Sequence, residues 1–174
     1  TTLAVVGLGA VPVFLVFLAT HVVLIGGALL SRADEAGAVA EQVRGGLSSG
    51  VATLGVGGML ALFLRAYSMG AGTYTGIEAV SNGLQIMREP KVETARRTMF
   101  LMAVSLSLTA GGITLAYLLV HVSPVTGQTM NAVLADRFAG AFHLGGLPLG
   151  RWFVWLTLVS EALLLFVAAQ AGFL

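Results

Sequence analysis

Apolar residues run almost unbroken through four stretches of this chain, at about residues 3–30, 54–87, 98–121 and 151–174. About 20 consecutive apolar residues cross the hydrocarbon core of a bilayer, and each stretch reaches that length. The pattern predicts an all-α membrane protein with four transmembrane helices. Pro12 lies inside the first stretch and predicts a kink there, which membrane helices tolerate. The second stretch is too long for one straight crossing. Between the third and fourth, "TMNAVLADRFAGAF" places Met130, Val133, Leu134, Phe138 and Phe142 on one helical face, with Thr129 as a candidate N-cap. This segment, about 129–142, predicts an amphipathic helix lying across the outer surface. It reads either as a plain interfacial helix or as a lid over a pathway. "ADEAGAVAEQVRG", residues 33–45, carries a weaker version of the same pattern.

Polar residues interrupt the second stretch at "SMGAGTYTGIEAVSNG". Gly70, Gly72 and Gly76 fall within seven residues, and each glycine disfavours a helix interior by about 1 kcal/mol relative to alanine. The cluster predicts an unwound turn between two half-helices. Unwound backbone inside a membrane must face protein, water or a ligand, because an unsatisfied peptide group in lipid costs several kcal/mol. Gly70, Ala71, Gly72, Thr73, Tyr74, Thr75 and Gly76 are therefore the candidate substrate- or ion-binding segment. The competing reading is close helix packing through Gly72 and Gly76.

Glu78 follows the break in the first turn of the second half-helix. It reads either as a permanent cap, stabilised there by the helix dipole, or as a proton-exchanging group. Asn82 lies one turn further on the same face. In the last stretch Thr157, Ser160 and Glu161 form a weaker cation-site candidate, with helix–helix hydrogen bonding the commoner use of such hydroxyls. His21, alone on an apolar span, reads as an interhelical hydrogen-bonder rather than a proton relay.

Composition narrows the functions. The chain is 57% hydrophobic and 10% charged, with a mean hydropathy of +0.93, against about 25% charged residues in a soluble domain. Net charge is +1 and no basic run is interleaved with aromatics, so nothing points to nucleic acid. Cysteine is absent, and His21, His121 and His143 are scattered, so neither a metal centre nor another cofactor is expected. No nucleophile–base constellation suggests an enzyme. Four Lys/Arg residues crowd "REPKVETARR", residues 88–97. By the positive-inside rule that loop is cytoplasmic in a multi-pass protein of the cell membrane. The opening at Thr1 and the apolar ending "AAQAGFL" suggest an internal fragment of a longer membrane protein.

The series Gly76, Glu78, Asn82, Pro90, Lys91, read in "TGIEAVSNG" and "REPKVETARRTM", resembles the amino acid–polyamine–organocation permease superfamily. The likeness runs along the whole chain in the order of that family's helices 5 to 8. It is nearest to a bacterial branch holding both amino acid permeases and potassium-uptake permeases. The resemblance implies a LeuT-like, five-plus-five inverted-repeat transporter working by alternating access, driven by a proton or cation gradient. It implies a small-molecule or cation substrate, with small amino acids first and potassium second. It also implies partners in the same protein, an N-terminal repeat and further downstream helices, as well as the lipid bilayer. On that mapping Gly70 to Gly76 line the central site, Glu78 couples protonation to closure, and the helix near 129–142 is the lid. A non-transporting structural or regulatory membrane subunit is the alternative.

Overall fold

The computed structural model describes residues 2–70 and 83–171, with backbone alone at 2–10, 86, 168, 170 and 171. Among the described residues five α-helices follow one another: α1 (Thr2–Ser31), α2 (Ala36–Met69), α3 (Lys91–Leu119), α4 (Met130–Ala139) and α5 (Leu149–Ala171). Short 3-10 turns lie at Ala33–Glu35 and Gly83–Ile86. No strand occurs among the described residues. Among the described residues four helical runs are long and apolar enough to cross a membrane: Val11–Ser31, Ala33–Met69, Lys91–Leu119 and Leu149–Val167. The chain is thus an all-α protein of membrane type. Large apolar side chains such as Leu30, Val56, Leu108 and Leu165 stand exposed along these helices, the outward face that a lipid environment would cover.

Two compact units divide the chain. The first joins Thr1–Asp34 to Thr109–Leu174. Its core is Leu24 and Ala28 from α1, Ala116 from α3, and Leu134 and Ala135 from α4, with Phe138, Phe153 and Val154 packed against it. Phe138 meets Phe153 edge-on at 6.4 Å, a favoured aromatic geometry. Small residues set the spacing of α1 and α4, because a methyl added at Gly27 would overlap the Phe138 ring.

The C-terminus of α3 shows how α4 is attached. His121 takes a left-handed φ of 52°. Val122 N donates to Tyr117 O at 2.8 Å and His121 N to Leu118 O at 3.2 Å, the paired bonds of a Schellman end. Arg137 of α4 then donates through Nη1 to His121 O at 2.5 Å and Val120 O at 3.4 Å. A cation on the last carbonyls of a helix is where the dipole favours it. At the other end of α4, Thr129 Oγ1 accepts from Ala132 N at 3.1 Å, an N-cap. A tight turn at Gly145 and Gly146, both at positive φ, closes the Leu144–Leu147 bridge before α5.

The second unit is Glu35–Leu108. The weak helical pattern at 33–45 and the start of the second apolar stretch form one helical run, α2, which is sharply bent. Gly55 sits at φ 69°, ψ 171°, a backbone region open essentially to glycine alone. The bend folds the later residues onto the earlier ones: a methyl at Gly50 would come 2.8 Å from Met59 Sδ. The expected loop at 88–97 is shorter than its charge pattern suggested. The structure starts α3 at Lys91, with Thr94 N bonded to Pro90 O and Lys91 N to Glu89 Oε2, so Lys91, Arg96 and Arg97 ride on its first two turns.

Gly55→Ala is expected to cost about 1–3 kcal/mol, because alanine reaches that φ/ψ only under strain. Gly27→Ala should cost a similar ~1–3 kcal/mol by overpacking, and Phe138→Leu in the same chain should recover part of it. Thermal melts of the variants in detergent check both, and unchanged melting of Gly27→Ala would contradict the close approach of α1 and α4.

Candidate functional site

Three helices of the first unit bring their polar residues to one place. In α1, Thr20 and His21 share the buried face with Leu24 and Ala28. In α5, Thr157, Ser160 and Glu161 follow Phe153 at helical spacing, and Thr157 and Ser160 are buried. Asn131 stands in the first turn of α4. Tyr117 comes from the last turn of α3.

Glu161 is the meeting point. Its Oε1 accepts from Asn131 Nδ2 at 3.1 Å and lies 3.2 Å from His21 Nε2. Asn131 Oδ1 in turn accepts a short hydrogen bond from the Tyr117 hydroxyl. A continuous chain of polar contacts therefore runs Tyr117–Asn131–Glu161–His21, linking α3, α4, α5 and α1. The His21 side chain is 2% exposed and that of Glu161 16%, so the pair is largely out of solvent. The Phe17 ring lies against the imidazole, centroids 3.9 Å apart and planes tilted by 31°.

The other ring nitrogen has two neighbours. His21 Nδ1 lies 2.8 Å from Phe17 O and 3.4 Å from Thr20 Oγ1. A carbonyl oxygen only accepts, so the shorter contact is a hydrogen bond in the tautomer that carries its hydrogen on Nδ1. Nε2 is within ion-pair distance of the Glu161 carboxyl yet makes no directed hydrogen bond. The hydroxyls nearby are committed to their own helices: Thr20 Oγ1 donates to Phe17 O, Thr157 Oγ1 to Phe153 O, and Ser160 Oγ to Thr157 O.

The sequence signals divide in two. Glu161, Thr157 and Ser160, the weaker cation-site candidate, share one buried face with His21, and the imidazole and carboxyl meet across α1 and α5. Tyr117 and Asn131 carried no sequence signal of their own, because only the docking of α4 places them on Glu161. Of the glycine-rich segment, Gly70 caps α2, its N–H bonding Ala66 O, with ordinary right-handed φ −81° and ψ −5°. Ala71, Gly72, Thr73, Tyr74, Thr75, Gly76, Glu78 and Asn82 lie outside the described residues.

Comparison with known proteins gives one anchor. The chain is 28% identical over 114 residues to the potassium transporter KimA of Bacillus subtilis (strain 168). That alignment covers 66% of this chain and 17% of the length of KimA. No family model matches the chain, and no solved structure does.

Tyr117→Phe should lower stability by about 1 kcal/mol by leaving the Asn131 carbonyl without its donor. Glu161→Ala should cost more, about 1–3 kcal/mol, because it strips a partner from both the buried imidazole and the Asn131 amide. Melting of the two variants and of the double variant checks this. Strictly additive losses would show that the four residues do not act as a connected network.

Proposed function

We propose that this chain is the central membrane segment of a secondary transporter of the cell membrane, and that its cargo is potassium. The observation that carries the reading is the similarity to a potassium transporter over two-thirds of the chain. Four apolar helices of membrane-crossing length agree with it, as does a polar cluster that no simple membrane anchor requires. The family resemblance put small amino acids ahead of potassium, and the similarity to a potassium transporter supports the reverse order.

On this reading the cargo site is built around Gly70, Ala71, Gly72, Thr73, Tyr74, Thr75 and Gly76. Hydroxyl and carbonyl oxygens suit a dehydrated monovalent cation, since hard cations take oxygen ligands. Glu78 and Asn82 act beside it as coupling or gating groups, and the 88–97 segment faces the cytoplasm. Transport proceeds by alternating access, with the helices that supply the other half of the site coming from the rest of the protein.

The full-length protein in proteoliposomes should take up potassium, or its tracer rubidium, down an imposed proton or cation gradient. Potassium at ~100 times its Kd should stabilise the folded state by about 2.7 kcal/mol in a melt. Uptake or stabilisation by small amino acids but not by potassium would restore the first order. A response to neither would favour a non-transporting membrane subunit.

A further inference from the structure

His21 Nε2 and Glu161 Oε1 stand at ion-pair distance without a directed hydrogen bond. In the tautomer that gives Nδ1–H to Phe17 O at 2.8 Å, a neutral imidazole presents only a lone pair at Nε2. An ionised Glu161 presents only lone pairs at Oε1, 3.2 Å away. Two acceptors at that distance repel, and burial leaves little water to intervene. One added proton removes the conflict. It resides either on the imidazole, giving an imidazolium–carboxylate pair, or on the carboxyl, which then donates to Nε2. Either form is attractive, and both hold the same number of protons. The bare pair is the unfavourable state.

We propose that His21 and Glu161 together hold one exchangeable proton inside the membrane, and that its occupancy decides whether α1 stays clamped to α5. This makes the pair a protonation site separate from Glu78, and coupling of its proton to transport rests on the transporter reading above. When the proton leaves to water, the carboxylate is driven from Nε2. Asn131 Nδ2, at 3.1 Å, remains its donor and follows it or lets it go. Asn131 is a positioning residue: it passes the state of the pair to α4, and Tyr117 holds its other end.

The surroundings contain no second charge to take over this role among the described residues. Tyr117 is the titratable group that α3 brings to the chain of contacts, and α4 brings only the neutral amide. The charges of α4 lie elsewhere, Arg137 on the end of α3 and Asp136 beside Gly140. The remaining polar neighbours from α1 and α5, Thr20, Thr157 and Ser160, spend their hydroxyl hydrogens on backbone carbonyls. A merely structural pair would need no proton to be lost or gained. An intramembrane carboxyl and imidazole with a missing hydrogen between them has the composition of a proton carrier.

The test uses the full-length protein in lipid and two readouts. Infrared difference spectra across a pH step report carboxyl protonation without any transport. The wild type should show a carboxyl band that Glu161→Gln removes and Glu78→Gln leaves in place. His21→Gln, which takes away the carboxyl's imidazole partner, should alter that band. A spectrum unchanged by Glu161→Gln, or a band left as in the wild type by His21→Gln, overturns the proposal. Should one variant fail to fold, the other decides. In proteoliposomes, Glu161→Gln should weaken the pH dependence of potassium uptake at least ~3-fold relative to the wild type, beyond whatever Glu78 contributes. Uptake with the same pH profile in both would reject coupling through this pair and leave the transporter reading standing. A Glu161 band without any wild-type uptake would keep the proton site and remove the transporter reading.

Discussion

A carboxylate cannot sit unanswered among membrane helices, and the first unit is organised around that constraint. Charged groups in the bilayer interior are costly, so Glu161 is met from two directions and one of its partners is braced from a third. His21 faces it across the α1–α5 contact, Asn131 reaches it from α4, and Tyr117 fixes Asn131 from α3. Apolar packing of Leu24, Ala28, Ala116, Leu134 and Ala135 brings these helices together. That packing specifies the spacing only loosely, since lipid is as apolar as the core. The polar chain specifies the register, because each donor must arrive at one acceptor.

The glycines act on the same assembly by a different route. Gly27 allows the Phe138 ring to lie against α1, at the opposite end of α4 from Asn131. Gly55 does the opposite kind of work in the second unit. It breaks a long helical run at a backbone angle that side chains reach only under strain. Close approach at Gly27 and sharp bending at Gly55 both draw on the missing side chain of glycine.

The class of fold was legible because length and apolar run are local quantities. The four helices of membrane-crossing length follow from hydropathy alone. Local signals also describe α4: the apolar spacing from Met130 and the hydroxyl of Thr129 belong to a helix with that cap. The bend at Gly55 was not legible, since one glycine among many in an apolar run does not announce its φ. The meeting of His21 with Glu161 was not legible either. They are far apart in sequence, and each read singly is only a polar anomaly on its own helix. Tyr117 and Asn131 had still less to mark them, because their role exists only after tertiary docking. The glycine-rich segment from Ala71 to Asn82, which the sequence singles out most strongly, lies outside the described residues.

The clasp of Arg137 on the end of α3 makes α4 a lever. Its pivot is where the guanidinium grips the carbonyls of Val120 and His121. Its working end is Asn131, six residues away and so about 9 Å along the axis. A tilt of about 10° at the pivot displaces that end by roughly 1.6 Å, enough to sever a hydrogen bond. Small rotations at the rim are thereby amplified into the making or breaking of a contact with the buried carboxyl, and the reverse holds with the same mechanical ratio.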